Sequence, residues 1–542
     1  MKRRIVLLIL VFGVPVLFPR MAYAGAPVAG DVDASGAVDA VDVQVVINAA
    51  LGVAGAFLTD LDYAGTTDAV DVQLVINVAL GLVIDADYDG LADVAEARLL
   101  TNPADFDSDD DTMGDGEEIL LGRNPLHYDV PLTLAKKAEI FEFDLIARFV
   151  YGGQVMCKLK RPTAEIPQVT YNMPDNAYMT GIYLGMLAMK YAVTHDANTR
   201  NQAFETIQAL DLLCNVSGKN GLLARAAIPV TTPFSDDGEW YFSGDGRYRW
   251  RANVSSDQMD GVFYGFALAY DLVADDAHKA IIARNARNLV DHVMEHDMHI
   301  EDVDGEATTW GHYESWYVQD YEHMNALLWL QHVKITAHVT GDPYYAQVYD
   351  DFANNQGYAD LAVTARVMGD PLGGDVNYSD DVLQYLAYYA LIRLETDPTL
   401  RAKYLASLTR SWNGDEGWPG LSPVANPMYA FNVHAHLGVS EGDVAGIQTL
   451  QWFPLDIKWI PATIDTYESL YGFVFDPTIR SPEPLPGQPV PIDRRPNTWS
   501  TLVQNPYKAG ARDPNHGMEF NGHDYTAAYW LGRFHGYITP VM

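Results

Sequence analysis

The stretch Ser255–Asp271, SSDQMDGVFYGFALAYD, decides how the chain is read. It opens with two hydroxyls, then Asp257 and Asp260, and continues as a helical run of aromatic and small residues. A helix apolar on nearly every side has to be covered on every side. The segment Asp175–Tyr191 repeats the pattern. MTGIYLG at Met179–Gly185 matches MDGVFYG at Met259–Gly265, with Met and both Gly in the same places. Such a self-match predicts a repeated helical unit, and it makes the polar residues that open each copy candidates for one shared site. Thr180 stands where the second copy has Asp260, so the repeat itself does not require that aspartate.

Working outward, helical stretches recur over 134–151, 175–195, 199–214, 257–273, 276–296, 321–340, 343–356, 380–395, 397–410, 426–437 and 523–537, and strands are few. Short turns such as Thr194-His195-Asp196 and Thr340-Gly341-Asp342-Pro343 join these helices in pairs. The first member of each pair is apolar on most faces, as in DNAYMTGIYLGMLAM, EHMNALLWLQHV and YSDDVLQYLAYYAL. Its partner, for example HKAIIARNARNLVDHVMEH, is amphipathic and belongs outside. About six such pairs predict a mainly α fold, a closed ring of helical hairpins. Over roughly Leu132–Met542 this resembles the (α/α)6 toroid of six-hairpin glycosidases and related polysaccharide lyases. The resemblance is one of architecture, including a closing helix HDYTAAYWLGRFHGY, and rests on no single motif. An open solenoid would show shorter and more uniform repeats.

In such a ring the inner helices run parallel and share one N-terminal face. That face would collect Asp175, Asn176, Ser256, Asp257, Asp260, Asn325, Ser379, Asp380, Asp381, His523 and Asp524. The preceding loops add Arg247, Tyr248, Arg249, Trp250, Arg251, Trp310, His312, Tyr313, Glu314, Trp316, Trp412, Glu416 and Trp418. Aromatic planes stack on sugar rings, and carboxylates share acid and base work across a glycosidic bond. Asp257, Asp260 and Asp175 are the expected catalytic acids. Arg247, Arg249 and Arg251 of GRYRWRANVSS would hold an anionic group, with Trp250, Trp310, His312, Tyr313 and Trp418 completing the substrate surface. A competing reading makes the aspartates helix caps.

Three functions stay open. The first is hydrolysis of an acidic glycan. The second is a lyase, in which His312 or Tyr313 takes the proton alpha to a uronate carboxyl. The third is a non-catalytic surface protein that binds carbohydrate. HExxH, Walker-loop and CxxC patterns do not occur in the sequence, so zinc peptidase, nucleotide and redox readings have no support.

The chain's 542 residues carry a formal net charge of -37, which argues against nucleic acid and anionic membranes as partners. Residues 1–24 read as a secretory signal: Lys2, Arg3 and Arg4, then apolar Ile5–Phe18, then Ala22-Tyr23-Ala24. An exported protein without further membrane insertion is expected. Cys157 and Cys214 are too few for a disulfide scaffold.

Residues 25–130 are rich in Asp, Gly, Ala and Val. VDAVDVQVVINAALG at Val38–Gly52 recurs as TDAVDVQLVINVALG at Thr67–Gly81. Each copy follows an acidic loop: Asp31, Asp33, Ser35, Asp39 and Asp42 in the first, Asp60, Asp62, Asp68 and Asp71 in the second. Alternate side chains of a tight loop, with Gly at position 6, supply the hard oxygens calcium needs. Residues 25–82 resemble a type I dockerin, which implies two calcium loop-helix units and a cohesin-type partner. Ala64 removes one side-chain ligand from the second loop. Two more loops, Asp85, Asp87, Asp89, Asp93 and Glu96, then Asp107, Asp109, Asp111, Asp115 and Glu118, resemble thrombospondin type 3 calcium repeats over 83–130. Their carboxylates are the more complete, so they are the best expected Ca2+ sites. The remaining residues, 131–542, form the expected catalytic domain.

Overall fold

The computed structural model describes residues 28–108, 114–121, 125–126, 133–160, 166–366, 378–453 and 518–539, apart from 34, 36, 54–56, 58, 321 and 416–417, together with positions 489, 492 and 506. The leader expected over residues 1–24, and Asp109 and Asp111 of the fourth acidic loop, lie outside the described residues. The described residues fall into two compact units, one up to residue 126 and one from residue 133 onward.

In the first unit, α1 (Ala40–Ala50) and α2 (Ala69–Ala79) pack against each other through buried Val46, Leu74 and Val75. Both open with the same reciprocal cap. Asp39 and Asp68 accept from the backbone N–H of Val41 and Val70, and Asp42 and Asp71 reach back to the cap N–H. Two short helices follow, α3 (Asp93–Leu99) and α4 (Asp115–Leu121).

The second unit is built of hairpins. In chain order its helices are α5 (Leu134–Asp144), α6 (Asn176–Thr194), α7 (Ala197–Asn215), α8 (Ser256–Leu272), α9 (Asp276–Glu295), α10 (Ser315–Asp320), α11 (His323–Thr340), α12 (Pro343–Asp350), α13 (Tyr358–Leu361), α14 (Ser379–Leu394), α15 (Pro398–Asn413), α16 (Pro427–Leu437), α17 (Asp443–Gln451) and α18 (His523–Phe534). Each of α6, α8, α11, α14, α16 and α18 packs on the next, and α18 returns to α6, so the inner ring closes. The outer layer lies against it as α5 on α18, α7 on α6, α9 on α8 and α11, α12 on α11, α15 on α14 and α16, and α17 on α16. The fold is mainly helical, as the sequence pattern predicts. Almost every side chain along the middle of α6, α8, α11 and α14 is buried, because each of these helices is covered on both flanks and behind.

The repeated MTGIYLG and MDGVFYG have a structural cause. They are the crossing of α6 with α8. A Cβ on Gly181 would sit 2.0 Å from the Gly261 carbonyl oxygen, one on Gly265 would sit 2.3 Å from that of Gly181, and one on Gly261 would sit 2.5 Å from that of Tyr178. The backbones touch, and only glycine leaves room.

The structure departs from the sequence expectations at element ends. The helix expected over 134–151 stops at Asp144, continues as a π-turn over Leu145–Phe149 and passes into a strand at Val150–Tyr151. The last five residues of the stretch 343–356 up to Asn355 are likewise a π-turn, Asp351–Asn355. Helix α17 and the short strand pairs were not expected. The strands are held by partners far away in sequence, such as Lys158–Lys160 between Thr170–Asn172 and Met518–Phe520, which local periodicity does not show. Cys157 and Cys214 are both buried and free. No helix among the described residues is long and apolar enough to cross a membrane.

Candidate active site on the N-terminal face of the ring

The outer helices begin as good helices should. Asp196, Asp275, Asp342 and Asp397 cap α7, α9, α12 and α15 by accepting first-turn N–H groups, and Pro343 and Pro398 occupy the first helical positions. The acids of the inner helices behave differently. Helix α8 is opened by Ser255, not by an aspartate: Gln258 Oε1 accepts from the Ser255 N–H at 2.9 Å and from its hydroxyl at 2.7 Å. Asp175 and Glu322 precede α6 and α11 without a side-chain capping bond. The capping reading of Asp257 and Asp260 is thereby answered, since neither carboxylate is needed to start its helix.

These acids gather on one face. Gln258 Nε2 donates to Asp175 Oδ1 at 3.1 Å, joining the starts of α8 and α6. Arg225 lies between the same two starts. It pairs with Asp175 Oδ1 at 3.5 Å and donates to the carbonyls of Pro174 at 2.9 Å and Asn253 at 2.5 Å. Burial pushes the Asp257 carboxyl up from the ordinary aspartate range, and the Arg225 charge pulls it back. Glu322 is pushed up to about 7 by burial and then by the Asp257 charge. Asp380, in the first turn of α14, is pushed up to about 8 by burial and then by Glu322 and Asp257. Three inner helices thus bring half-exposed carboxyls close enough to feel one another. Asp260 lies deeper. It is fully buried, and burial followed by the Asp257 charge raises it well above the usual range, with Gln331 beside it pulling the other way. Asp381, next to Asp380, is committed to Arg366 at 2.9 Å, both side chains being buried.

The expected substrate-binding residues scatter. Arg247 sits at a hairpin tip and pairs with Asp245 at 2.6 Å. Arg249 donates to the Val230 carbonyl at 2.7 Å and lies over the Phe234 ring. Arg251 pairs with buried Asp236 at 2.7 Å. Trp250 is 1% exposed and Tyr313 is fully buried, with its hydroxyl on His332 Nε2 at 3.1 Å, so both are core side chains and not sugar platforms. The His312 ring meets the Glu314 carboxylate at 3.0 Å and stacks on Tyr317. The imidazole and the phenol of the lyase reading are therefore both engaged. Trp418 pairs through its backbone with Asp415. Trp310 presents a wide face, at 60% exposed, and Trp316 at 56% joins it. The hairpin carrying Trp310 is pinned by Asn253, which donates through Nδ2 to Thr309 Oγ1 at 3.1 Å and accepts from the Thr309 N–H at 2.9 Å. The Asn253 carbonyl is also the one that Arg225 holds.

Arg225 and Glu322 are the site residues that sequence reasoning missed. Arg225 had one signal, a lone guanidinium in the apolar run GLLARAAIP. Glu322 had only its place directly before the apolar helix HMNALLWL.

A second acidic centre lies in the first unit. Oxygens of Asp31, Asp33 and Asp42 come together, as do those of Asp60, Asp62 and Asp71. Asp39 and Asp68, the expected ninth-position ligands, each also accept a backbone N–H through Oδ1 at the start of α1 and α2. In the second loop Arg98 reaches Asp62 Oδ2 at 2.7 Å, so a cation already stands there. The later loops merge: Asp85, Asp87 and Asp89 form one group, and Asp89, Glu96 and Asp115 form another, with ligand oxygens all within 4.8 Å of one another. Asp89 belongs to both. Glu96 is fully buried and its Oε2 has no hydrogen-bond partner. Burial and then neighbouring carboxylates push Asp89 up to about 7 and Glu96 to about 8. A buried group of carboxylates, one oxygen of which has no hydrogen-bond partner, fits a hard divalent ion with oxygen ligands. Asp93 accepts from the Ala86 N–H at 2.9 Å. Asp107 and Glu118 lie in the same loop-helix segment as Asp115, Glu118 being fully buried. Ser35 donates to the Ala37 carbonyl at 3.1 Å.

No protein-family model matches the chain, and no curated protein matches it. Three solved structures show the range of its structural likenesses. A sugar epimerase from a ruminal bacterium superposes with a TM-score of 0.40 at 12% identity, over 74% of this chain and 99% of that one. An unsaturated glucuronyl hydrolase specific for heparin gives 0.37 at 13%, over 74% and 97%. A GH76 alpha-mannanase of Bacteroides thetaiotaomicron gives 0.38 at 11%, over 75% and 95%.

Proposed function

We propose that the second unit is a glycoside hydrolase working at the N-terminal face of its helical ring, and that the protein is exported and binds calcium through its first unit. One observation carries the enzymatic reading: the inner-helix acids Asp257, Glu322 and Asp380 cap nothing and share one face, where the Arg225 charge favours the Asp257 carboxylate while burial and neighbouring charge push Glu322 up to about 7 and Asp380 up to about 8. A pair of carboxyls held in different protonation states is what glycosidic hydrolysis needs.

Asp257 acts as the base. The Arg225 charge favours its ionised form, and the carboxylate takes a proton from water attacking the anomeric carbon. Glu322 or Asp380, protonated near neutrality, gives its proton to the departing glycosidic oxygen. The bond between that oxygen and the anomeric carbon breaks as the bond from water forms. Trp310 and Trp316 offer faces for neighbouring sugar rings.

The test is release of reducing ends from a panel of glycans across pH. The acid must be protonated, so turnover should fall as pH rises through about 7 to 8, the values to which Glu322 and Asp380 are raised. Glu322→Gln and Asp380→Asn variants identify the donor, and the true donor's variant loses the alkaline limb together with most of its rate. A panel hydrolysed with no such limb, or no hydrolysis of any member, contradicts the assignment. Unsaturated uronate products would favour the lyase instead.

The calcium reading predicts that millimolar calcium raises the melting temperature of the full chain. Asp89→Asn should remove most of that gain, because Asp89 serves two oxygen groups at once. A gain unchanged in the variant would place the ion elsewhere.

A further inference from the structure

Resting on the calcium reading of the first unit, we infer that the second acidic loop holds no calcium: Arg98 is its built-in cation, and a guanidinium closes the loop in place of the ion. The loop copies the first one, so Asp60, Asp62, Ala64 and Asp71 stand where Asp31, Asp33, Ser35 and Asp42 stand. Both are folded by the same internal bonds. Asp42 Oδ1 accepts the Val32 and Asp33 N–H groups at 3.0 and 3.2 Å, and Asp71 Oδ1 accepts those of Leu61 and Asp62 at 2.6 and 3.1 Å. At the third loop position, Asp33 and Asp62 each use Oδ1 to accept the N–H two residues on, from Ser35 and Ala64, at 3.0 Å. The other carboxylate oxygen at that position is then the one left for an ion.

The second loop gives that oxygen to an arginine. Arg98 Nη1 meets Asp62 Oδ2 at 2.7 Å and also donates to the Asp62 backbone carbonyl. The Asp62 side chain is 3% exposed, and a carboxylate so covered needs a cation beside it. Position 5 differs in the same direction. Ser35 donates its hydroxyl hydrogen to the Ala37 carbonyl at 3.1 Å and keeps its lone pairs for a cation, whereas Ala64 has no side-chain oxygen to offer. Arg98 is also one of only two Lys or Arg residues in the sequence from 25 to 130, the other being Arg123. A guanidinium brings one charge and fixed donors, so it is satisfied by fewer oxygens than the six to eight that calcium takes. The second loop, short of one ligand and supplied with a cation, does not fit the ion that its resemblance implies.

The experiment counts the calcium bound to the full-length protein by equilibrium dialysis against millimolar free calcium, with excess potassium chloride to screen non-specific binding. Asp60→Asn is expected to leave the count unchanged. Arg98→Gln combined with Ala64→Ser gives the second loop the donor set of the first, and this double variant is expected to gain about one equivalent. Adding Asp60→Asn to it should remove that equivalent again. Loss of an equivalent in Asp60→Asn alone, or no gain in the double variant, overturns the inference and leaves calcium binding by the other loops standing. A parent chain that binds no calcium contradicts the calcium reading, and hydrogen exchange then decides the inference. The N–H groups of Leu61, Asp62, Ala64 and Gly65 are held by Asp71 and Asp60. With Arg98→Gln they should exchange faster than in the parent, and equal exchange overturns the assignment of Arg98.

Discussion

An Asp257→Asn variant is expected to lose about 10²–10⁴ of its turnover while melting no lower than the parent chain. The two halves of that result have separate causes. Loss of turnover follows from removing the base whose ionised form the Arg225 charge favours, a group whose charge also adds to the burial that raises Glu322 and Asp380. Undiminished stability follows from what Asp257 does not do. Ser255 and Gln258 start α8, and Arg225 keeps Asp175 and two carbonyls. The folded-state pKa of Asp257 is raised. Between the unfolded and folded values the folded chain therefore binds more protons, and stability falls as pH rises through that window. Asparagine removes this burden at neutral pH. A capping aspartate of the outer layer gives the opposite pattern: Asp397→Ala should lower stability and spare turnover, because its oxygen holds the N–H groups of Thr399 and Leu400. A melting temperature that collapsed in Asp257→Asn would mean that the carboxylate holds the fold and not the chemistry.

Gly181→Ala should destabilise the chain by about 3 kcal/mol, at the upper end of overpacking effects. Helix propensity alone predicts the reverse, since alanine in a helix interior is favoured over glycine by about 1 kcal/mol. The contact decides the sign. The new methyl would lie 2.0 Å from the Gly261 carbonyl oxygen and 2.3 Å from its carbon, and a backbone cannot turn aside as a side chain can. Helices α6 and α8 would have to separate, carrying Asp175 and Asp257 with them, so turnover should fall as well. Urea unfolding reads the effect as a lower midpoint with an unchanged slope. A midpoint above the parent's would show that the close crossing does not exist.

Much of this architecture can be read from sequence because it is local. The apolar run of FYGFALA and the amphipathic run of HKAIIARNARNLVDHVMEH each declare their layer, and a ring of parallel inner helices places Asp175, Asp257 and Asp380 on one face. What the sequence hides is pairing across distance. Nothing in GRYRWRANVSS announces that Arg251 is held by Asp236, fifteen positions upstream, so three arginines beside acids look like an anion clamp. Trp250 and Tyr313 look like surface aromatics because a strand-rich loop does not say which side faces the core. The two matching glycines announce a repeat but not that the two copies press on each other. In the acidic loops, the sequence does not announce that Asp39 and Asp68 also cap α1 and α2, and Asp89 looks like a ligand of one loop until Asp115 folds back beside it.

The most direct test of the central claim is a crystal structure of the inactive Asp257→Asn chain soaked with an oligosaccharide that the parent hydrolyses. The sugar is expected across the N-terminal face of the ring, with its scissile oxygen within hydrogen-bonding reach of Glu322 or Asp380 and the substituted side chain at position 257 facing the anomeric carbon. A sugar bound elsewhere, with those three side chains facing only water, would contradict the account.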